Sequence, residues 1–192
     1  MKLQREVSRG VIAMSALSAD VKELKGKPGT QQHLSRTAQV PADFAAVLVG
    51  FPEGSDLDLD LRLESVHEGV LMTGTSSAQV TGQCGRCLDE IGYPLTVDVM
   101  QLFVYPDRVE PASEETGSED ERVIGEDLII DLEPVLRDLM VSALPFQPVC
   151  REDCPGLCSQ CGFRMEEDPE HAHEQLDPRW AALADLNTDQ DN

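Results

Sequence analysis

Leu57-Asp58-Leu59-Asp60-Leu61-Arg62-Leu63 alternates apolar and charged side chains without a break. A period of two is the pattern of a β-strand with one buried face, so the leucines point to a core and the charges to water. Reading outward, His67-Glu68-Gly69 supplies a turn, and Val70-Leu71-Met72-Thr73-Gly74-Thr75 returns as a partner strand that Ser76 to Gln79 extend. Further on, Ile91, Tyr93, Leu95, Val97, Val99, Phe103 and Tyr105 share one parity of a long strand, and Pro94 places the start of that strand at a sheet edge. Before it, Ala45 to Phe51 is a short apolar run that ends at Pro52. The expectation is an α+β fold built on an antiparallel, meander-like sheet of about four or five strands.

Helical signals are fewer. Leu17 to Leu24 reads as a capped helical turn with Ser18 or Asp20 at the N-cap, closed by Lys25-Gly26-Lys27-Pro28-Gly29. Leu128 to Leu132 reads as a strand. Glu133-Pro134 then opens a helix whose apolar face is Val135, Leu136, Leu139, Met140 and Ala143, and Leu144-Pro145 ends it. Asp177-Pro178 starts a short terminal helix in which Trp180, Leu183 and Leu186 pack on the body. The expected organisation is a flexible N-terminus over 1–14 and an α+β domain over 15–145 with an acidic, disordered loop at 107–121. A cysteine-rich knuckle and C-terminal helix follow over 146–187, then a disordered tail over 188–192.

The strongest chemical demand comes from Cys150-Arg-Glu-Asp-Cys154-Pro-Gly-Leu-Cys158-Ser-Gln-Cys161-Gly162, four thiols around a Pro-Gly turn. Cys84-Gly85-Arg86-Cys87-Leu88, set in a strand-to-strand turn, is a further Cys-x-x-Cys and looks like half of a zinc ribbon. His171 and His173 add a His-x-His. Thiolates bind zinc in sets of four, usually from pairs two to four residues apart. Cys84/Cys87, Cys150/Cys154, Cys158/Cys161 and His171/His173 together supply two tetrahedral sites without remainder. A single local site of Cys150, Cys154, Cys158 and Cys161, or a ribbon joining Cys84/Cys87 to Cys158/Cys161, satisfies the same spacing rules. His33 and His67 have no such pattern and read as surface residues.

Composition narrows the function. The 192-residue chain carries a net charge of −21, with aromatics at 4%. The acidity is uneven: residues 1–40 hold seven basic and three acidic side chains, against eight and 33 in the rest. Such a surface repels phosphate backbones and attracts basic proteins, and the few aromatics weaken any base-stacking scheme. There is no apolar run long enough to span a membrane and no signal-peptide pattern in Met1 to Gly10, so a cytoplasmic protein is expected, with thiols serving a metal rather than disulfides. No metalloprotease, deaminase, phosphate-loop or Gly-x-Ser-x-Gly motif is present, and no βαβ pattern surrounds Cys84/Cys87 to support a thioredoxin-like redox role. The expectation is a non-enzymatic protein with structural zinc and no small-molecule substrate.

In their order and spacing, several blocks together resemble one known family. These are Cys84-Gly-Arg86-Cys87-Leu88, an acidic loop, Ala143-Leu144-Pro145, Pro148-Val-Cys150-x-x-x-Cys154-Pro-Gly156-Leu157-Cys158-x-x-Cys161-Gly162, and Asp177-Pro178-Arg179-Trp180-Ala181-Ala182-Leu183. The chain is identified over about 15–187 as similar to the YceD family of large ribosomal RNA subunit accumulation proteins, in its actinobacterial form. The resemblance implies a non-enzymatic, cytosolic role in accumulation of 23S ribosomal RNA and in ribosome assembly. Members often carry Cys-x-Cys where this chain has His171-Ala172-His173. With the acidic charge, the expected partner is a basic ribosomal protein or a large-subunit assembly factor. A direct RNA-binding zinc module, with Arg86, Arg151 and Arg164 meeting phosphates, is the rival, and a thiol redox protein is a third reading.

Overall fold

The computed structural model describes residues 15–108 and 122–173. The N-terminus, most of the acidic loop, and the segment with Trp180, Leu183 and Leu186 lie outside the described residues.

The alternating leucines do form the strand that organises the sheet. Gln31–Gln39 (β2), Asp56–Ser65 (β4), Gly69–Gln83 (β5) and Glu90–Val104 (β6) are neighbours in the order β2-β4-β5-β6, each pair antiparallel. Leu57, Leu59, Leu61 and Leu63 are at most 2% exposed, while Asp56, Asp58, Asp60 and Arg62 face solvent. On β5 the same parity puts Val70, Met72, Ser76, Ala78 and Val80 inside. The inner row of β6 runs from half-buried Ile91, Tyr93, Leu95 and Val97 to buried Val99 and Phe103. Near Pro94, β6 has β5 as its one neighbour among the described residues, so the prolyl nitrogen sits at an open edge.

Two short strands complete a six-stranded sheet rather than one of four or five. Val49–Gly50 (β3) pairs with Thr81 and Gly82 of β5 beyond the point where β4 begins, and Arg122–Val123 (β7) pairs parallel to the end of β6. The apolar run of 45–51 is therefore mostly a small hairpin, with Ala45 bridged to Gly50 and Val47 wholly exposed at its tip.

The predicted helical turn at Leu17–Leu24 is instead a strand and a tight turn. Ser18–Asp20 (β1) pairs antiparallel with Ile129–Asp131 (β8). Asp20 does cap, its Oδ1 accepting from Lys22 N at 2.9 Å, but the next bond is Leu24 N to Val21 O, a single turn that no helix continues. Leu17, Ser18, Ala19 and Val21 are all buried, and pairing with β8 overrides the capping signal. Glu133–Ser142 (α1) is the one α-helix among the described residues, beside a 3-10 turn at Pro106–Arg108. Pro134 occupies its first turn and Asp131 Oδ1 accepts from Glu133 N at 3.1 Å. Val135, Leu136 and Met140 are buried, whereas Ala143 is the exposed C-cap and not part of the apolar face. Helix, small sheet and large sheet share one core, with Ser76 Oγ donating to Met140 Sδ at 3.3 Å.

Gly74 combines a tight crossing with a left-handed backbone in this scaffold. Its φ is +144°, and a Cβ there would lie 2.1 Å from the carbonyl oxygen of Asp60. Gly74→Ala should therefore cost about 3 kcal/mol or more, through β4–β5 displacement and backbone strain, read as a large drop in Tm.

Candidate metal centre

Cys84 follows the last residue of β5, so the strand itself aims its side chain at the protein interior, where it is wholly buried. The chain then turns to reach β6. Cys84 N donates to Asp89 O at 2.8 Å, Leu88 N to Cys84 O at 3.0 Å, and Leu88 takes φ +62°. The second Cys-x-x-Cys repeats this turn. Cys158 N donates to Phe163 O at 2.7 Å, Gly162 N to Cys158 O at 2.9 Å, and Gly162 takes φ +73°. Both pairs thus sit on one type of loop, with a left-handed residue immediately after the second cysteine. Glycine does this freely, and Leu88 does it at a cost.

The intervening segment is stitched to the first turn. Gly85 N donates to Pro148 O at 2.7 Å and Leu157 N to Arg86 O at 3.0 Å. Arg86 Nη1 donates to the carbonyl oxygens of Glu152 (3.0 Å) and Cys154 (2.9 Å). Gly156, at φ +77°, lies so close that a Cβ would come within 3.0 Å of Arg86 O. Arg164 grips the Asp89 carboxylate with both terminal nitrogens, Nη1 at 2.9 Å, and Arg151 pairs with Glu166 at 2.8 Å. None of these arginine contacts was legible in the sequence, where Arg86, Arg151 and Arg164 read only as candidate phosphate contacts.

These bonds bring the eight candidate ligands into two groups. Sγ of Cys84, Cys87, Cys150 and Cys154 lie within 4.8 Å of one another, as do the ligand atoms of Cys158, Cys161, His171 and His173. In the first group Cys84 and Cys154 sulfurs are 3.9 Å apart and those of Cys87 and Cys150 3.7 Å apart. Four sulfurs at about 2.3 Å from one tetrahedral zinc stand about 3.8 Å from each other, whereas a disulfide needs about 2.05 Å. The donor set and spacing therefore fit a divalent metal such as zinc, and all six cysteines are free thiols. In the second group Cys161 Sγ is 3.3 Å from His171 Nε2 and 3.2 Å from His173 Nε2, with the two nitrogens 2.9 Å apart. A mixed tetrahedral site calls for about 3.5 Å between sulfur and nitrogen and about 3.3 Å between nitrogens, so this set is somewhat compact. The Phe163 ring stacks on His171 at 4.6 Å between centroids.

The structure does not gather Cys150, Cys154, Cys158 and Cys161 into one local site, nor Cys84/Cys87 with Cys158/Cys161 into a ribbon. Pro155-Gly156-Leu157, pinned against Arg86, separates the two halves of the knuckle. His33 lies away from both groups, exposed and 2.7 Å from Asp60, and His67 is exposed in its turn.

The thiols are not equivalent. Burial pushes Cys84 up, but the backbone N–H groups of Cys87, Arg86 and Cys150 together outweigh it and hold the thiol at about 6. For Cys87 the Asp89 N–H favours the thiolate, yet burial and the neighbouring sulfurs win and push it up to about 12. Cys150 is also raised, first by Cys154 and then by burial. Backbone N–H groups of Gln160 and Cys161 lower Cys158 to about 6. The Arg164 fork holds the Asp89 carboxylate down at about 2, so this ion pair persists above the carboxylate range and is lost only as pH falls toward 2. At pH 7.5 Cys84 is then ionised while Cys87 and Cys150 keep their protons. Since a metal takes only thiolates, loading the first group should release at least about two protons, and affinity should rise with pH. Calorimetric titration in buffers of different ionisation enthalpy counts them; release of none would contradict this charge state.

The sequence profile of the family described as Large ribosomal RNA subunit accumulation protein YceD matches residues 72–187, which takes in both cysteine turns. The chain belongs to the YceD family. Similarity to individual proteins extends further along it. Uncharacterized protein Rv2926c of Mycobacterium tuberculosis is 46% identical over 174 residues, covering 90% of this chain and 82% of that protein. Uncharacterized protein ML1660 of Mycobacterium leprae is 39% identical over 173 residues, 90% of this chain and 78% of its own length. Uncharacterized protein YlbN of Bacillus subtilis is 30% identical over 119 residues, 58% and 63% of the two chains. No solved structure gives a significant match.

Proposed function

We propose that this YceD-family chain is a non-enzymatic factor for 23S ribosomal RNA accumulation and large-subunit assembly. It would act by holding a basic ribosomal protein or assembly factor on its acidic surface. Family membership over 72–187 is the observation that carries the ribosomal part. The charge of −21 supports the protein-contact part. So does the outer face of the large sheet, where Asp56, Asp58 and Asp60 of β4 and Asp98 of β6 are exposed, with Thr75 paired between Asp60 and Asp98. Arg86, Arg151 and Arg164, the arginines of the direct RNA reading, each make contacts within the protein, which favours the protein-contact reading over it. Among the described residues no helix is long and apolar enough to cross a membrane.

In this reading the two ligand groups hold structural zinc. When bound, zinc supplies a closed tetrahedral cross-link. Cys84 and Cys87 offer the sheet's half of the first cross-link and Cys150 and Cys154 the other, fastening the segment after α1 to the end of β5. Immobilised protein incubated with purified large-subunit proteins at low salt tests the function. Retention of a basic protein that weakens with added salt, and in Asp58→Asn/Asp60→Asn/Asp98→Asn, is expected. Retention of none, or tighter capture of naked large-subunit RNA than of any protein, contradicts it.

A further inference from the structure

We propose that Cys158, Cys161, His171 and His173 form an exchangeable metal site, beside a permanent one at Cys84, Cys87, Cys150 and Cys154. The proposal rests on reading both groups as metal sites and concerns how differently they hold their ions. In the inner group Cys84 is wholly buried and Cys87 and Cys154 are nearly so, with Cys150 alone exposed. Arg86 N donates to Cys84 Sγ at 3.4 Å, and the Arg86 guanidinium fixes the loop that carries Cys154. A competing ligand must displace buried sulfurs that a strand end and several hydrogen bonds keep in place. The cross-link also joins chain segments far apart in sequence, so releasing that metal means undocking one from the other.

The outer group is built the opposite way. All four ligands come from one short stretch, and every residue from Leu157 to His173 is at least partly exposed. Cys161 and His173 face solvent. An open depression of about 430 Å³ adjoins the site, lined by Pro155, Leu157 and Met165 together with three of the ligands, Cys158, His171 and His173. A small chelator, a water or an incoming thiolate can therefore reach the ion from outside. Two imidazoles replace two thiolates, which lowers the negative charge and softness of the donor set and favours exchange among zinc, cobalt and nickel. Few buried side chains support this stretch, so its folded form depends on the ion, and its order would follow metal supply while the sheet stays folded.

The test mixes the zinc-loaded full chain with excess 4-(2-pyridylazo)resorcinol and follows the coloured complex. Two zincs per chain are expected, leaving in two phases of one equivalent each, with the fast phase at least about tenfold quicker. In His171→Ala/His173→Ala the content should fall to one, and that one should leave at the slow rate. Far-UV circular dichroism of the wild type should keep its sheet signal through the fast phase. Two zincs that leave in a single phase, or a fast equivalent that survives in the double variant, would overturn the exchange proposal and leave the two-site reading standing. A chain that binds no metal would overturn both.

Discussion

Cys84→Ser should release the C-terminal segment from the sheet while the sheet itself remains folded. The substitution removes a wholly buried ligand from a set of four and leaves Cys87, Cys150 and Cys154 to hold the ion alone. Structural zinc contributes on the order of 10–16 kcal/mol to small metallodomains, so loss of one of four thiolates forfeits several kcal/mol of the docking energy. The main core does not include the cysteines. It is built from the four leucines of β4, the inner rows of β5 and β6, and α1, and it forms a cluster distinct from that of Cys84, Cys87 and Cys154. Limited proteolysis should therefore cut between Pro148 and His173 in the variant far faster than in the wild type, while β4 to β6 keep their hydrogen-exchange protection. Unfolding of the whole chain in one step would show instead that the metal carries the sheet.

Arg86→Ala should be the most damaging change to the metal centre outside its ligands. Its guanidinium donates to the carbonyls of Glu152 and Cys154, and its own carbonyl accepts from Leu157 N. A hydrogen bond to a charged group is worth about 1.5–3 kcal/mol, so removing both costs about 3 kcal/mol after allowance for partial exposure. The backbone bond from Leu157 survives. The expected readout is weaker zinc retention at the first group with little change in the sheet's own Tm. Arg86→Lys should recover only part of the loss, because the shorter lysine side chain falls short of the place Nη1 holds between the two carbonyls. Equal retention in Arg86→Ala and wild type would mean that the loop is ordered without this contact.

The sheet was legible because its information is local. Strict alternation at Leu57–Leu63 and single parity from Ile91 to Tyr105 each require only the chain's own period, and both strands are where that period puts them. Ser18–Asp20 was misread because Asp20 gives a true capping bond, while its strand character comes from Ile129–Asp131, far away in sequence. The hairpin carrying Val47 was obscured by its composition, since an apolar run at an exposed tip looks like a buried strand.

The candidate site divides in the same way. The spacing of the cysteine pairs, their place in turns, and the sufficiency of eight ligands for two sites were all readable. Which pair meets which was not, because that is decided by Gly85 N on Pro148 O and by Gly156 against Arg86, contacts with no local signature. His171-x-His173 was ambiguous with a solvated polar run, and it acquires meaning only when the turn at Cys158 to Gly162 brings Cys161 beside it. The arginines stood out as possible phosphate ligands, yet each is held by a carbonyl or carboxylate of the protein.

Native mass spectrometry of the wild type beside Cys84→Ser and Cys158→Ser tests most directly how the ligands are shared between two sites. Two zinc ions in the wild type and one in each variant are expected. One zinc in the wild type, kept in Cys84→Ser and lost in Cys158→Ser, would contradict the account and restore a self-contained four-cysteine site.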